Sequence, residues 1–271
     1  MERKGLDADG YIEREGSLGR VQGEFAGVVA AARERIAQAY GARLHSAYLY
    51  GSVPRGSARP GRSDLDLLLA LHRAPTGEDR DAAEVLADGL DEDFAQIDGA
   101  GILLYGKETL LSEEERHDLG WFLACLCTPL LGADLAEHLP RYRPDSLLAR
   151  ESNGDLARLL PRVRARAGEA STPREYRRLN RGTARHLVRT GFTLVMPLWG
   201  GWTSDLAESA AVFGRYYPQR AAQMRAAARV ALDPVADPEV LRGFTEDLGP
   251  WLAAEYEARH GVKSPRGGPW R

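Results

Sequence analysis

Apolar residues at Val21, Phe25, Val28, Val29, Ala32 and Ile36 recur at helical spacing, which predicts a first helix ending near Gly41. The period then changes. "HSAYLYGS" (45–52) reads as a short strand broken by glycine, and "SDLDLLLAL" (63–71) as a second strand that turns wholly apolar after Asp66. Pro54, Gly56, Pro60 and Gly61 mark the loop between them. "TGEDRDAAEVLADGLDEDF" (76–94) predicts an acidic, solvated helix, and "AQIDGAGILLYG" (95–106) a third strand with Asp98 near its start. From about Ser112 onward the apolar spacing is helical throughout, cut into segments by Pro and Gly. The pattern predicts an α/β (α+β) first half with a small mixed sheet, residues 1–111, followed by an all-α helical bundle, 112–260, and a flexible tail, 261–271.

Composition narrows the classes. The chain has 271 residues, 44% of them hydrophobic, enough for a core in each half. A formal charge of −3 provides no global basic field for long nucleic acid, which favours a small or local substrate. The two cysteines, Cys125 and Cys127, lie too close together for an easy bridge and are too few for a zinc site. The longest apolar runs, Leu67–Leu71 and Trp121–Leu131, fall short of the roughly 20 residues of a membrane span. The N-terminus lacks a signal-peptide core. A cytoplasmic protein without a membrane partner is expected; oligomeric state is left open.

The chemistry is concentrated in "YLYGSVPRGSARPGRSDLDLLLAL" (48–71). A Gly-Ser pair leaving a strand exposes backbone N–H groups and a hydroxyl to phosphate oxygens, so Gly51 and Ser52 are candidate phosphate ligands. Eleven residues separate Ser52 from Asp64, and Asp64 and Asp66, as i and i+2 of an extended segment, are expected to project from one face. Two like charges there repel unless a cation separates them, and hard carboxylate oxygens suit magnesium. A third carboxylate on a neighbouring strand would complete a two-metal site, with ions about 4 Å apart, for in-line phosphoryl displacement. Asp98 is the candidate by position, as a metal ligand or as the base for a hydroxyl.

The segment "YGSVPRGSARPGRSDLDLL" resembles the signature of the DNA polymerase β nucleotidyltransferase superfamily. A catalytic domain followed by a helical half is similar to the aminoglycoside adenylyltransferases and the minimal nucleotidyltransferases. The resemblance implies two Mg2+ ions on Asp64, Asp66 and Asp98. It also implies a nucleoside triphosphate, ATP by preference, held by Gly51, Ser52, Arg55 and Ser63. The acceptor would be a small-molecule hydroxyl such as that of an aminoglycoside, and the role antibiotic resistance. Those enzymes carry a nucleotide-contacting lysine in the region corresponding to "RGTARHLVRTGFTLV"; none stands here, which leaves Arg181, Arg185 or Arg189 as replacements. Trp199, Trp202 and Asp205 would suit a cationic acceptor through ring and ion-pair contacts, or are ordinary amphipathic-helix content. Arginine-rich stretches, "RLLPRVRARAG" and "YRRLNRG", keep a protein or RNA acceptor as the alternative. A non-catalytic nucleotide-sensing module is the reading from a different class.

Overall fold

The computed structural model describes residues 4–266, in two compact units: Glu13–Tyr142, and residues 4–12 with 143–266. In the first unit, α1 (Gly23–Tyr40) buries Phe25, Val28, Ala32, Ile36 and Tyr40, the stripe its spacing predicts. β1 (Leu44–Tyr50) leads into α2 (Ser52–Arg55), a single turn, and then β2 (Leu65–Leu71). α3 (Gly77–Asp93) begins at a capping box between Thr76 and Asp79 and is followed by β3 (Ala100–Gly106). β1 and β2 are antiparallel, whereas β2 and β3, joined through α3, are parallel. A fourth strand, β4 (Thr128–Gly132), adds antiparallel to β1, giving a mixed sheet of order β3-β2-β1-β4.

Strand alternation divides the sheet into two faces. Leu65, Leu67, Leu69 and Leu71 pack with Ala47 and Leu49 against α1 and α3. Leu68 and Ala70 face the other way, with Tyr48, under Leu110, Leu119, Leu123 and Cys127. Leu110 closes α4 (Lys107–Leu110), Leu119 lies in a π-helical stretch, Arg116–Gly120, and Leu123 in α5 (Trp121–Leu126). Asp66 belongs to the Leu68–Ala70 face, one step toward the strand's N-terminal end.

β4 departs from the sequence pattern, which is helical through this region. The apolar run from Trp121 is helix only as far as Leu126. Pro129 pushes Thr128 out of the helical region and offers no N–H, so the remainder extends along the sheet edge, where a missing donor is tolerated. The first compact unit therefore reaches Tyr142 and not the expected 111.

In the second unit, α8 (Pro173–Trp199) is the central element. It contacts α6 (Ser146–Asn153), α7 (Leu156–Glu169), α9 (Leu206–Tyr216), α10 (Ala221–Leu232), α11 (Pro238–Gly243) and α12 (Gly249–His260). From Thr190 to Met196 every residue of α8 is buried, as expected of a helix surrounded by others. Two buried polar groups on or beside this helix are satisfied internally: Tyr256 Oη donates to the Ala149 carbonyl at 2.6 Å, and Asn180 Nδ2 to the carbonyls of Val235 and Asp237.

Within the expected tail, Lys263 and Arg266 are bonded to the helical unit. The Lys263 amide donates to the Gly154 carbonyl, and Arg266 Nη2 pairs with Glu151 Oε2 at 2.9 Å. Burial raises the Glu151 pKa, but hydrogen bonds from Arg150, Ser264 and Arg266 bring it below its ordinary value. Residues 267–271 of that expectation lie outside the described residues. No helix among the described residues is long and apolar enough to cross a membrane.

Candidate active site

β1 ends at Tyr50, and the chain turns through Gly51 at φ +80°, ψ −149°, a region open essentially to glycine alone. Tyr50 pairs with Asp66 across the antiparallel ladder, which sets Asp66 beside this turn. A Cβ at position 51 would lie 2.5 Å from Asp66 Oδ2. The carboxylate thus occupies the room a side chain at 51 would need. α2 opens at Ser52 but has only four residues, so any phosphate cradle here rests on local amides and the Ser52 hydroxyl rather than on a helix macrodipole.

Arg55 and Ser63, both assigned to the triphosphate on the sequence, have structural employment at this turn. Arg55 Nε donates to the Gly51 carbonyl at 3.0 Å, and its Nη1 lies 3.7 Å from Glu15 Oε2. Glu15 was not legible as part of the site, since nothing local links it to a turn forty residues on. Ser63 Oγ accepts from the Arg59 amide at 2.9 Å, and the Ser63 amide donates to the Arg59 carbonyl, closing the basic loop ahead of β2. Arg55→Ala should lower stability by about 1 kcal/mol, because the bond it removes is charge-assisted but partly exposed. It should also raise the apparent Michaelis constant for triphosphate several-fold by loosening Gly51. Steady-state kinetics with the acceptor held saturating would show this; an unchanged constant would confine Arg55 to the fold.

Asp66 lies in β2 and Asp64 immediately before it, and both are half-buried. Asp98 is exposed, in the bend before β3, and its amide donates to the Ser63 carbonyl. The residue of β3 in register with Asp66 is Gly101. A Cβ there would contact Asp66 Oδ1 at 3.5 Å and nothing else within 4 Å. Among the described residues no three His, Cys, Asp or Glu side chains are grouped so as to hold a metal ion. The expected triad of Asp64, Asp66 and Asp98 is therefore not assembled. Asp64 and Asp66 still fit a hard divalent cation, which commonly takes one or two carboxylates and completes its shell with phosphate oxygens and water.

The proposed acceptor wall is not an open surface. Trp199 and Trp202 are 9% and 7% exposed and meet Phe192 edge-on at 5.7 and 5.6 Å. The N-terminal segment holds them: Lys4 Nζ donates to the Trp199 carbonyl and lies over its ring, and the Trp202 amide donates to the Lys4 carbonyl. Asp205 caps α9 by accepting from the Glu208 amide at 2.7 Å. Arg181, Arg185 and Arg189 lie along α8. The cysteines are not poised nucleophiles. Burial pushes the Cys125 thiol up to about 12 and the Cys127 thiol well above its ordinary value.

The four-stranded mixed sheet, with its Gly-Ser turn beside Asp66, and the helical unit have a counterpart among solved structures. The chain is similar to the crystal structure of a spectinomycin adenyltransferase from Enterococcus faecialis, solved with ATP and spectinomycin. The match has a TM-score of 0.52, spans 85% of this chain and 98% of that one, and carries 13% sequence identity. No protein-family model and no curated protein sequence matches the chain.

Proposed function

We propose that the protein is a cytoplasmic magnesium-dependent nucleotidyltransferase that moves AMP from ATP to a hydroxyl of a small molecule, an aminoglycoside or related natural product. The observation that carries this reading is the meeting of the Gly51 turn with the Asp66 carboxylate, on a fold shared with an enzyme solved with ATP and spectinomycin. In the proposed reaction the acceptor oxygen bonds to the α-phosphorus, the bond to the β-phosphate oxygen breaks, and pyrophosphate leaves with that electron pair. The hydroxyl proton passes to solvent or buffer. A bound cation would supply charge neutralisation at the α-phosphate. Asp64 and Asp66 would hold it, while the Gly51 and Ser52 amides and the Ser52 hydroxyl would position the phosphates, and the Arg55 brace would keep Gly51 in its required conformation.

The reading is tested by thermal melting with ATP, with magnesium, and with both. A ligand binding only the native state at tenfold above its dissociation constant adds about 1.4 kcal/mol, a shift of a few degrees. That shift is expected with both together and not with magnesium alone. A screen of labelled triphosphates against aminoglycosides, cell protein and tRNA then identifies the acceptor; label appearing only on protein or tRNA would replace the small-molecule reading.

A further inference from the structure

We infer that the proposed transfer site is built for one divalent cation rather than two, because the strand position that would carry the third carboxylate is Gly101. This rests on the nucleotidyltransferase reading and specifies the metal content of that same site. In the two-metal arrangement expected from the sequence, a further carboxylate on an adjoining strand shares an ion with Asp66. The sheet offers two neighbours. On the β1 side the residues beside Asp66 are Tyr50, its ladder partner, and Gly51, whose missing side chain the carboxylate replaces. On the β3 side the register is parallel and continuous from Leu65↔Ala100 to Leu71↔Gly106, with Gly101 opposite Asp66.

Position 101 has the right geometry for the missing ligand. A Cβ built there sits 3.5 Å from Asp66 Oδ1, an ordinary contact, with no other heavy atom within 4 Å. The glycine has no positive φ that would demand it. A side chain could therefore begin at 101 and lie against the Asp66 carboxylate, and this sequence places none there. Asp98, three residues earlier, is exposed in the bend and does not group with the β2 pair. Asp66 is thus flanked by glycine on both adjoining chain segments, which leaves Asp64 and Asp66 as the carboxylate donors at the start of β2.

The experiment counts Mn2+ bound to the full chain saturated with a non-hydrolysable ATP analogue, by paramagnetic resonance of the free ion, with the analogue's own binding subtracted. The wild type should hold one Mn2+ per chain. Gly101→Asp should hold two, and Gly101→Asn, matched in size but neutral, one. Without cation, Gly101→Asp should melt below Gly101→Asn, from carboxylate repulsion at Asp66, and added Mn2+ should reverse the order. Two Mn2+ per wild-type chain would overturn the inference and leave the transferase reading standing, as would a folded Gly101→Asp that still holds one. If Gly101→Asp does not fold, the wild-type count decides alone. A wild type that binds neither analogue nor Mn2+ would overturn the transferase reading, and the inference with it.

Discussion

Replacing Gly51 by valine is expected to lower stability by about 3 kcal/mol and to remove measurable triphosphate binding. Two costs act together. The backbone at φ +80°, ψ −149° is one that a β-branched residue cannot adopt without strain of about 1–3 kcal/mol. The new Cβ would also stand 2.5 Å from Asp66 Oδ2, so either the turn or the carboxylate must move. Relaxing the turn misplaces the Gly51 and Ser52 amides, and displacing the carboxylate separates Asp66 from Asp64. Either route disrupts the site, so stability and binding should fail together. Alanine at 51 carries the same backbone penalty and the same Cβ contact without the branch, and should fall between. Urea denaturation and calorimetry with an ATP analogue read the two effects separately. A valine variant with the wild-type midpoint and wild-type affinity would remove the turn from the site.

The elements around this turn were legible because they depend on local spacing. α1, α3 and the first three strands follow from periodicity and from the glycine and proline punctuation, and each falls within a few residues of its expected place. β4 was not legible. Its five residues continue an apolar run that begins as helix, and only pairing with β1 makes them a strand. That strand carries the first unit past the division near 111 that the pattern suggested.

The candidate site shows the same boundary between local and non-local information. The Gly-Ser turn and the Asp-x-Asp spacing are properties of one short stretch, and the structure places Gly51 beside Asp66. The third carboxylate depends on the register between β2 and β3, which sequence does not print; the acid nearest the strand was Asp98, while the ladder puts Gly101 opposite Asp66. The "GAG" run was the available signal. Trp199 and Trp202 look like a binding wall on their own helix and turn, yet both are buried and bonded to Lys4, nearly two hundred residues away in sequence.

Asp66→Asn is expected to reduce transfer at least a thousandfold, about 4 kcal/mol of transition-state stabilisation, while leaving the fold intact. Asparagine keeps the size that the Gly51 turn and Gly101 accommodate, so neither glycine contact should be disturbed. It removes the charge. Asp64 and Asp66 stand two residues apart at the start of β2, and without a cation their repulsion opposes folding; the neutral variant should melt at the wild-type temperature or slightly above it. With magnesium and ATP the order should invert, because the wild type gains ligand stabilisation that the variant has lost. That crossing separates a metal-holding role from a structural one, since a carboxylate needed for folding would lower the melting point under both conditions. Asp64→Asn should behave in the same way. Purified variants that turn over at the wild-type rate, or that gain as much from magnesium and ATP as the wild type, would move the chemistry away from β2.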